Sequence, residues 1–266
     1  MATFTSSDGI TLHYRQEGRG EPLVMIPGWG CSTRYFDRQF DGLSDQFQVV
    51  SLDPRGQGES EKTRRGQRMG RVTHDVHELL VHLNLQNVTL LGWSLGTSVV
   101  LSYVDLFGTD RVSKLVCVGG GPLLINRAGW DKGFIDLEGG DAWRTGLEND
   151  FEAVASGITA QFWHTPPNAE TVDLLTAETL RTAPADGAAA MTWDCINQNF
   201  LDLLPHIPQP TLVALGRLDT IVPVDNADVF GKVPDVRVEV FEESGHSPFL
   251  EESDRFNEVL SSFMLR

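Results

Sequence analysis

The chain has 266 residues, 41% of them hydrophobic, and a formal net charge of −16. That is enough apolar material for a full core, which argues against a disordered chain, and the acidic field repels phosphate backbones and anionic membrane surfaces, so nucleic acid is not an expected partner. The three cysteines, Cys31, Cys117 and Cys195, stand too far apart for a disulfide framework or a metal knuckle. No signal-peptide pattern or membrane-length apolar run is present, so the expectation is a soluble, cytoplasmic protein without membrane insertion.

Taken in order, Phe4 to Gln16 alternates around Asp8-Gly9 and predicts an opening hairpin. Leu23 to Ile26 is a continuous apolar run, as in a strand buried on both faces, and it empties into Pro27-Gly28-Trp29-Gly30. A helix is expected over Tyr35 to Leu43, a second buried strand over Phe47 to Leu52, and then the turn Asp53 to Ser60. Lys62 to Arg71 gathers basic residues in an otherwise acidic chain and reads as a solvated loop. Val72 to Leu85 carries Val76, Leu79, Leu80 and Leu83 at helical spacing.

Val88 to Leu91 is the next buried strand, and it leads directly into Gly92-Trp93-Ser94-Leu95-Gly96 and a helical apolar run. Gly-x-Ser-x-Gly between strand and helix is the nucleophile-elbow pattern. The turn is sharp, and side chains at Gly92 or Gly96 would collide with the neighbouring strand and helix. Lys114 to Val118 adds a strand that ends in Gly119-Gly120-Gly121. From Leu123 to Leu204 the pattern turns helical: Trp143, Leu147, Phe151, Val154, Ile158 and Phe162 predict one amphipathic helix, Ala169 to Arg181 a second, and Thr192 to Leu203 a third. Strands resume at Thr211 to Leu215 and Val236 to Phe241, with a helix near Asp225 to Lys232 between them and a closing helix over Asp254 to Met264. The expected architecture is a mostly parallel, doubly wound α/β sheet. Residues 1–122 and 205–266 form its core, and 123–204 a helical lid inserted between them.

A serine hydroxyl needs a base within hydrogen-bond reach and an acid to orient that base. Asp219 and His246 each follow a predicted parallel strand closely, which places them at the sheet edge where ligands bind. Of the seven histidines, His246 alone has that placement. His74 and His77 stand three apart on a helix but lack the pattern of a metal site. Asp225 competes with Asp219 as the acid, but it lies further from the strand and suits a helix N-cap.

Gly92-Trp93-Ser94-Leu95-Gly96, the segment Asp53 to Ser60, Gly216-Arg217-Leu218-Asp219 and Gly245-His246-Ser247-Pro248 together resemble the α/β-hydrolase family. The likeness runs from the opening hairpin to the last helix and omits only 123–204. It implies Ser94 as nucleophile, His246 as base and Asp219 as its partner, with no metal or organic cofactor. In some relatives the acid follows an earlier strand, but here that place is Gly119-Gly120-Gly121. The resemblance also implies an oxyanion hole formed by the backbone N–H groups of Leu95 and Trp29, although Pro27 stands where relatives carry histidine. Asp53 and Arg55 are expected to tie a structural turn, and Cys31 to pack.

Lids of this kind roof the active site, and Trp93, Trp143, Phe162 and Trp163 are the expected substrate contacts. Apart from Arg127, Lys132, Arg144 and Arg181 the lid has few cations, which favours an apolar acyl or aryl substrate. The expected activity is serine hydrolysis of a carboxylic ester or lactone. Carbon-carbon bond hydrolysis of a diketone, perhydrolase-type chemistry and a hydrolase-like small-ligand receptor are the alternatives. A serine in the elbow argues against haloalkane dehalogenases and epoxide hydrolases, whose nucleophile is a carboxylate.

Overall fold

A computed structural model describes residues 2–182 and 185–266. Its frame is an eight-stranded sheet built from β1 (Ala2–Thr5), β2 (Thr11–Glu17), β3 (Pro22–Ile26), β4 (Gln48–Leu52), β5 (Val88–Trp93), β6 (Val112–Val118), β9 (Thr211–Gly216) and β10 (Val236–Phe241). The order across the sheet is β1-β2-β4-β3-β5-β6-β9-β10. The hairpin strands β1 and β2 run antiparallel, and every pairing from β4 to β10 is parallel.

The continuous apolar runs read from the sequence are the strands of the parallel part, and the reason is visible in their packing. Val24 and Ile26 face one core together with Val76, Leu79, Val99 and Val100 of α2 (Met69–His82) and α3 (Leu95–Phe107). Leu23 and Met25, the alternate residues, face a second core with Phe40, Phe249, Phe256 and Leu260 of α1 (Asp37–Leu43), α9 (Pro248–Glu251) and α10 (Ser253–Met264). A strand covered on both faces has no solvent side, so its apolar residues do not alternate with polar ones.

Between β6 and β9 lie the two-residue strands β7 (Ile125–Asn126) and β8 (Ile135–Asp136) and the helices α4 (Leu137–Asn149), α5 (Phe151–Thr159), α6 (Ala169–Leu180) and α7 (Ala185–Ile196). The helix expected from Trp143 to Phe162 is in fact two. Asp150 leaves helical geometry at φ −148° and its side chain accepts from the Ala153 N–H, so it caps a new helix where apolar spacing alone ran straight through. The third expected helix stops at Ile196. Asn197 and Gln198 turn their amides back onto the Trp193 and Asp194 carbonyls, and the Phe200 N–H is taken by the Pro122 carbonyl at 2.9 Å. Those bonds satisfy the helix end, and Asn199 forms a bridge with Leu123. The short α8 (Asn226–Phe230) follows β9.

Candidate active site

Ser94 stands between β5 and α3 at φ 56° and ψ −117°, a backbone conformation rare for a residue with a side chain. The flanking glycines permit it. A Cβ on Gly92 would lie 1.9 Å from the Gly96 carbonyl oxygen, and one on Gly96 would lie 2.3 Å from that of Ile26. The Ser94 N–H donates to the Val118 carbonyl at 2.8 Å, which fixes the elbow to the neighbouring strand.

Asp219 and His246 sit on the loops that follow β9 and β10. These loops are locked face to face: the Leu218 N–H donates to the Ser244 carbonyl at 2.9 Å, and a Cβ on Gly216 would lie 1.8 Å from the Gly245 carbonyl oxygen. Asp219 Oδ1 accepts the N–H groups of Ile221 (2.7 Å) and Val222 (2.9 Å), leaving Oδ2 to meet His246 Nδ1 at 2.8 Å. Both side chains are fully buried. A carboxylate so placed holds the proton on Nδ1 and leaves Nε2 as the acceptor. That Nε2 is buried and, among the described residues, has no hydrogen-bond partner. Asp225, the rival acid, is exposed and pairs with Lys132 at the surface.

Two contacts bring the histidine to the elbow. The Trp93 indole N–H donates to the His246 carbonyl at 2.9 Å, and Gly119 fits between, since a Cβ there would lie 2.8 Å from that carbonyl and 3.2 Å from Nδ1. The glycine run after β6 was legible only as a missing carboxylate; within it Gly119 leaves space for the imidazole, while Gly120 packs on Thr97 and Gly121 on Asn226.

The loop after β3 closes in from the other side, with a Cβ on Gly28 meeting the Ser94 Cβ at 3.2 Å. Cys31 braces this loop by donating to the Trp29 carbonyl at 3.3 Å, and Thr182 by donating to that of Gly30 at 3.1 Å. Among the described residues the N–H groups of Trp29 and Leu95 meet no acceptor, and both residues line one cavity with Ser94.

That cavity is narrow, about 80 Å³, and among the described residues no charged side chain lines it. Trp143 and Phe162 form part of its wall, along with Phe134, Ile158 and Val222. Trp93 and Trp163 do not line it. Trp93 is 0% exposed. Its ring is wedged beneath the site, against Phe249 (centroids 4.9 Å apart), Phe162 (5.1 Å) and Tyr35 (5.4 Å). An aromatic residue that follows a buried strand and precedes the elbow points into the core, which the motif alone did not reveal. Ile221 and Val222 were missed altogether, although they stand two and three residues after Asp219. Arg127, Lys132, Arg144 and Arg181 also stand outside the cavity wall.

The other polar groups singled out from the sequence have structural surroundings. Arg55 is buried and reaches Asp75 at 2.6 and 2.7 Å and Asp8 at 3.1 Å, while Asp53 binds His13 Nδ1 at 2.8 Å and the Thr33 and Glu59 N–H groups. The Arg55 guanidinium holds the Asp8 carboxyl well below the usual carboxylate range. His77 stacks on Phe107 with centroids 4.1 Å apart. Burial pushes the Cys31 thiol up and those of Cys117 and Cys195 up to about 12, so none is a ready thiolate nucleophile. Among the described residues no cluster of His, Cys, Asp or Glu is arranged to hold a metal ion, and no helix is long and apolar enough to cross a membrane.

Comparison with known proteins agrees with this architecture. The family model for the alpha/beta hydrolase fold matches residues 21–253. A pimeloyl-[acyl-carrier protein] methyl ester esterase from Vibrio cholerae is 30% identical over 262 residues, 97% of this chain and 99% of the relative. Among solved structures, an esterase from Exiguobacterium antarcticum superposes with TM-score 0.94 at 28% identity, covering 100% of this chain and 99% of that one. A bromoperoxidase from Bacillus anthracis gives TM-score 0.93 at 26% identity with full coverage of both. The chain therefore belongs to the alpha/beta hydrolase fold family.

Proposed function

We propose that this protein is a serine hydrolase of carboxylic esters or lactones with a short, apolar acyl part, working through an acyl-enzyme on Ser94. The observation that carries the reading is the buried His246–Asp219 pair, its Nε2 without a hydrogen-bond partner among the described residues and its backbone tied through Trp93 to the elbow that holds Ser94 at φ 56°.

In the first half-reaction Ser94 Oγ attacks the carbonyl carbon and His246 Nε2 takes the hydroxyl proton. Asp219 keeps the imidazole in the required tautomer and stabilises the imidazolium. The negative charge on the carbonyl oxygen is met by the N–H groups of Leu95 and Trp29, each donor supplying on the order of 3 kcal/mol. His246 then gives its proton to the leaving alkoxide, and the alcohol departs. In the second half, water gives a proton to His246 as it attacks the acyl carbon, and collapse of the intermediate returns that proton to Ser94 and frees the acid. In both halves the imidazole acts first as base and then as acid.

The uncharged wall supports an apolar substrate. The narrowness of the cavity, about 80 Å³, supports a short acyl group. A p-nitrophenyl ester series tests this: kcat/KM is expected to peak at two to four acyl carbons, about tenfold above the ten-carbon ester. A peak at ten carbons or more contradicts the short-acyl assignment.

The likeness to a bromoperoxidase supports a second reaction of the same acyl-enzyme. Hydrogen peroxide in place of water would give the peroxyacid and regenerate Ser94. Peroxyacid formed from acetate and peroxide, and lost in Ser94→Ala, is its test.

A further inference from the structure

Glu251 closes the short helix α9, and its carboxylate lies between two loops. Oε2 accepts the N–H groups of His164 at 2.7 Å and Thr165 at 2.9 Å, and Oε1 accepts the N–H of Gly245 at 2.9 Å. Gly245 immediately precedes His246. His164 and Thr165 continue the chain from Phe162 and Trp163, where the segment after α5 descends onto the sheet. The two loops touch: a Cβ on Gly245 would lie 2.6 Å from the His164 nitrogen. The Phe162 ring, part of the cavity wall, packs on the His246 ring with centroids 5.9 Å apart.

Three donors from two loops therefore converge on one side chain, and only an acceptor at both oxygens serves them all. An amide has a single acceptor oxygen, so Gln at this position would leave at least one N–H facing an NH₂ group. Burial pushes the Glu251 carboxyl up from its ordinary value, with the backbone N–H groups opposing the rise. The neighbouring Glu252 performs a related task, accepting the Ser244 hydroxyl at 2.6 Å, so the loop carrying His246 is held by carboxylates at successive positions.

We propose that Glu251 is a positioning residue for His246: by pinning Gly245 to the chain beyond Phe162, it fixes the imidazole against the cavity wall. The proposal rests on the reading of His246 as the general base. Displacement of that loop moves Nε2 relative to Ser94 Oγ, and a misplacement of about 1 Å is worth about 100-fold in rate.

The test is steady-state hydrolysis of p-nitrophenyl butyrate, with active sites counted by fluorophosphonate titration so that unfolded protein drops out. Glu251→Gln is expected to lower kcat per site about 10- to 100-fold with KM within about threefold. Glu251→Asp should recover part of the loss. Glu242→Gln, which removes an exposed partner of Arg217 just upstream of Gly245, should match the parent. In a His246→Ala background, adding Glu251→Gln should change the residual rate by less than about twofold, because residues acting as a unit are not additive. An unchanged kcat per site in Glu251→Gln, even with a lowered melting temperature, overturns the proposal, as does an equal loss in the His246→Ala background. A His246→Ala variant as active as the parent sinks the base assignment itself, and the proposal with it.

Discussion

Replacing Trp93 by phenylalanine separates support of the site from contact with substrate. The indole N–H is the donor to the His246 carbonyl at 2.9 Å. Phenylalanine has none, and Gly119 packs close against that carbonyl. A buried acceptor left unpaired costs about 1–3 kcal/mol. The smaller ring also opens a void among Tyr35, Phe162 and Phe249, adding about 1 kcal/mol. The expected loss is about 2–4 kcal/mol, a large share of the ~5–15 kcal/mol by which a folded domain is stable. Urea unfolding followed by tryptophan fluorescence reads it as a lower midpoint at unchanged slope. Because Trp93 does not line the cavity, KM for p-nitrophenyl acetate should stay within about twofold while kcat drops as the His246 loop loosens. A stability change under about 0.5 kcal/mol, or a large rise in KM with stability intact, would refute this reasoning and return the indole to the substrate.

Further outcomes follow from the same geometry. Asp219→Asn keeps the shape of the pair but no longer enforces the Nδ1–H tautomer, so kcat should fall about 10⁴-fold at neutral pH with circular dichroism unchanged; a loss under tenfold would mean that another group orients His246. Gly96→Ala places a Cβ 2.3 Å from the Ile26 carbonyl oxygen and should yield little folded protein on expression, whereas Gly157→Ala, with open space around it, should express like the parent. Arg55→Gln removes the arginine that grips both oxygens of buried Asp75 and leaves Arg71 on Oδ1 alone, so it should cost about 3 kcal/mol in urea unfolding, the low end for a broken buried pair. The arginine holds the Asp8 carboxyl low, so its contribution to stability is complete above the ordinary carboxylate range and is lost as the pH falls toward the depressed value. The parent's urea midpoint should therefore fall more steeply below pH 4 than the variant's.

How much of this was legible in the sequence depended on whether a feature is local. The elbow was readable because its constraint acts within a few residues: Gly92 and Gly96 meet each other and the adjacent strand. The parallel strands were readable because burial on both faces produces unbroken apolar runs such as Leu212 to Leu215. The choice of Asp219 over Asp225 followed from distance to a strand end. Features set by distant partners were not readable. The halt of α7 at Ile196 comes from the Pro122 carbonyl, and the burial of Trp93 from aromatic rings contributed by Tyr35, Phe162 and Phe249. The break at Asp150 was in principle legible as an Asp N-cap, but the apolar spacing masked it.

The most direct trial of the account is to trap the covalent intermediate. Brief incubation with a fluorophosphonate, followed by digestion and peptide mass spectrometry, should place one adduct on Ser94 in the parent. Ser94→Ala should show none, and His246→Ala should be labelled at least about 100-fold more slowly. An adduct on any other residue, or labelling of Ser94 at the parent rate without His246, would contradict the claim that the imidazole activates this serine.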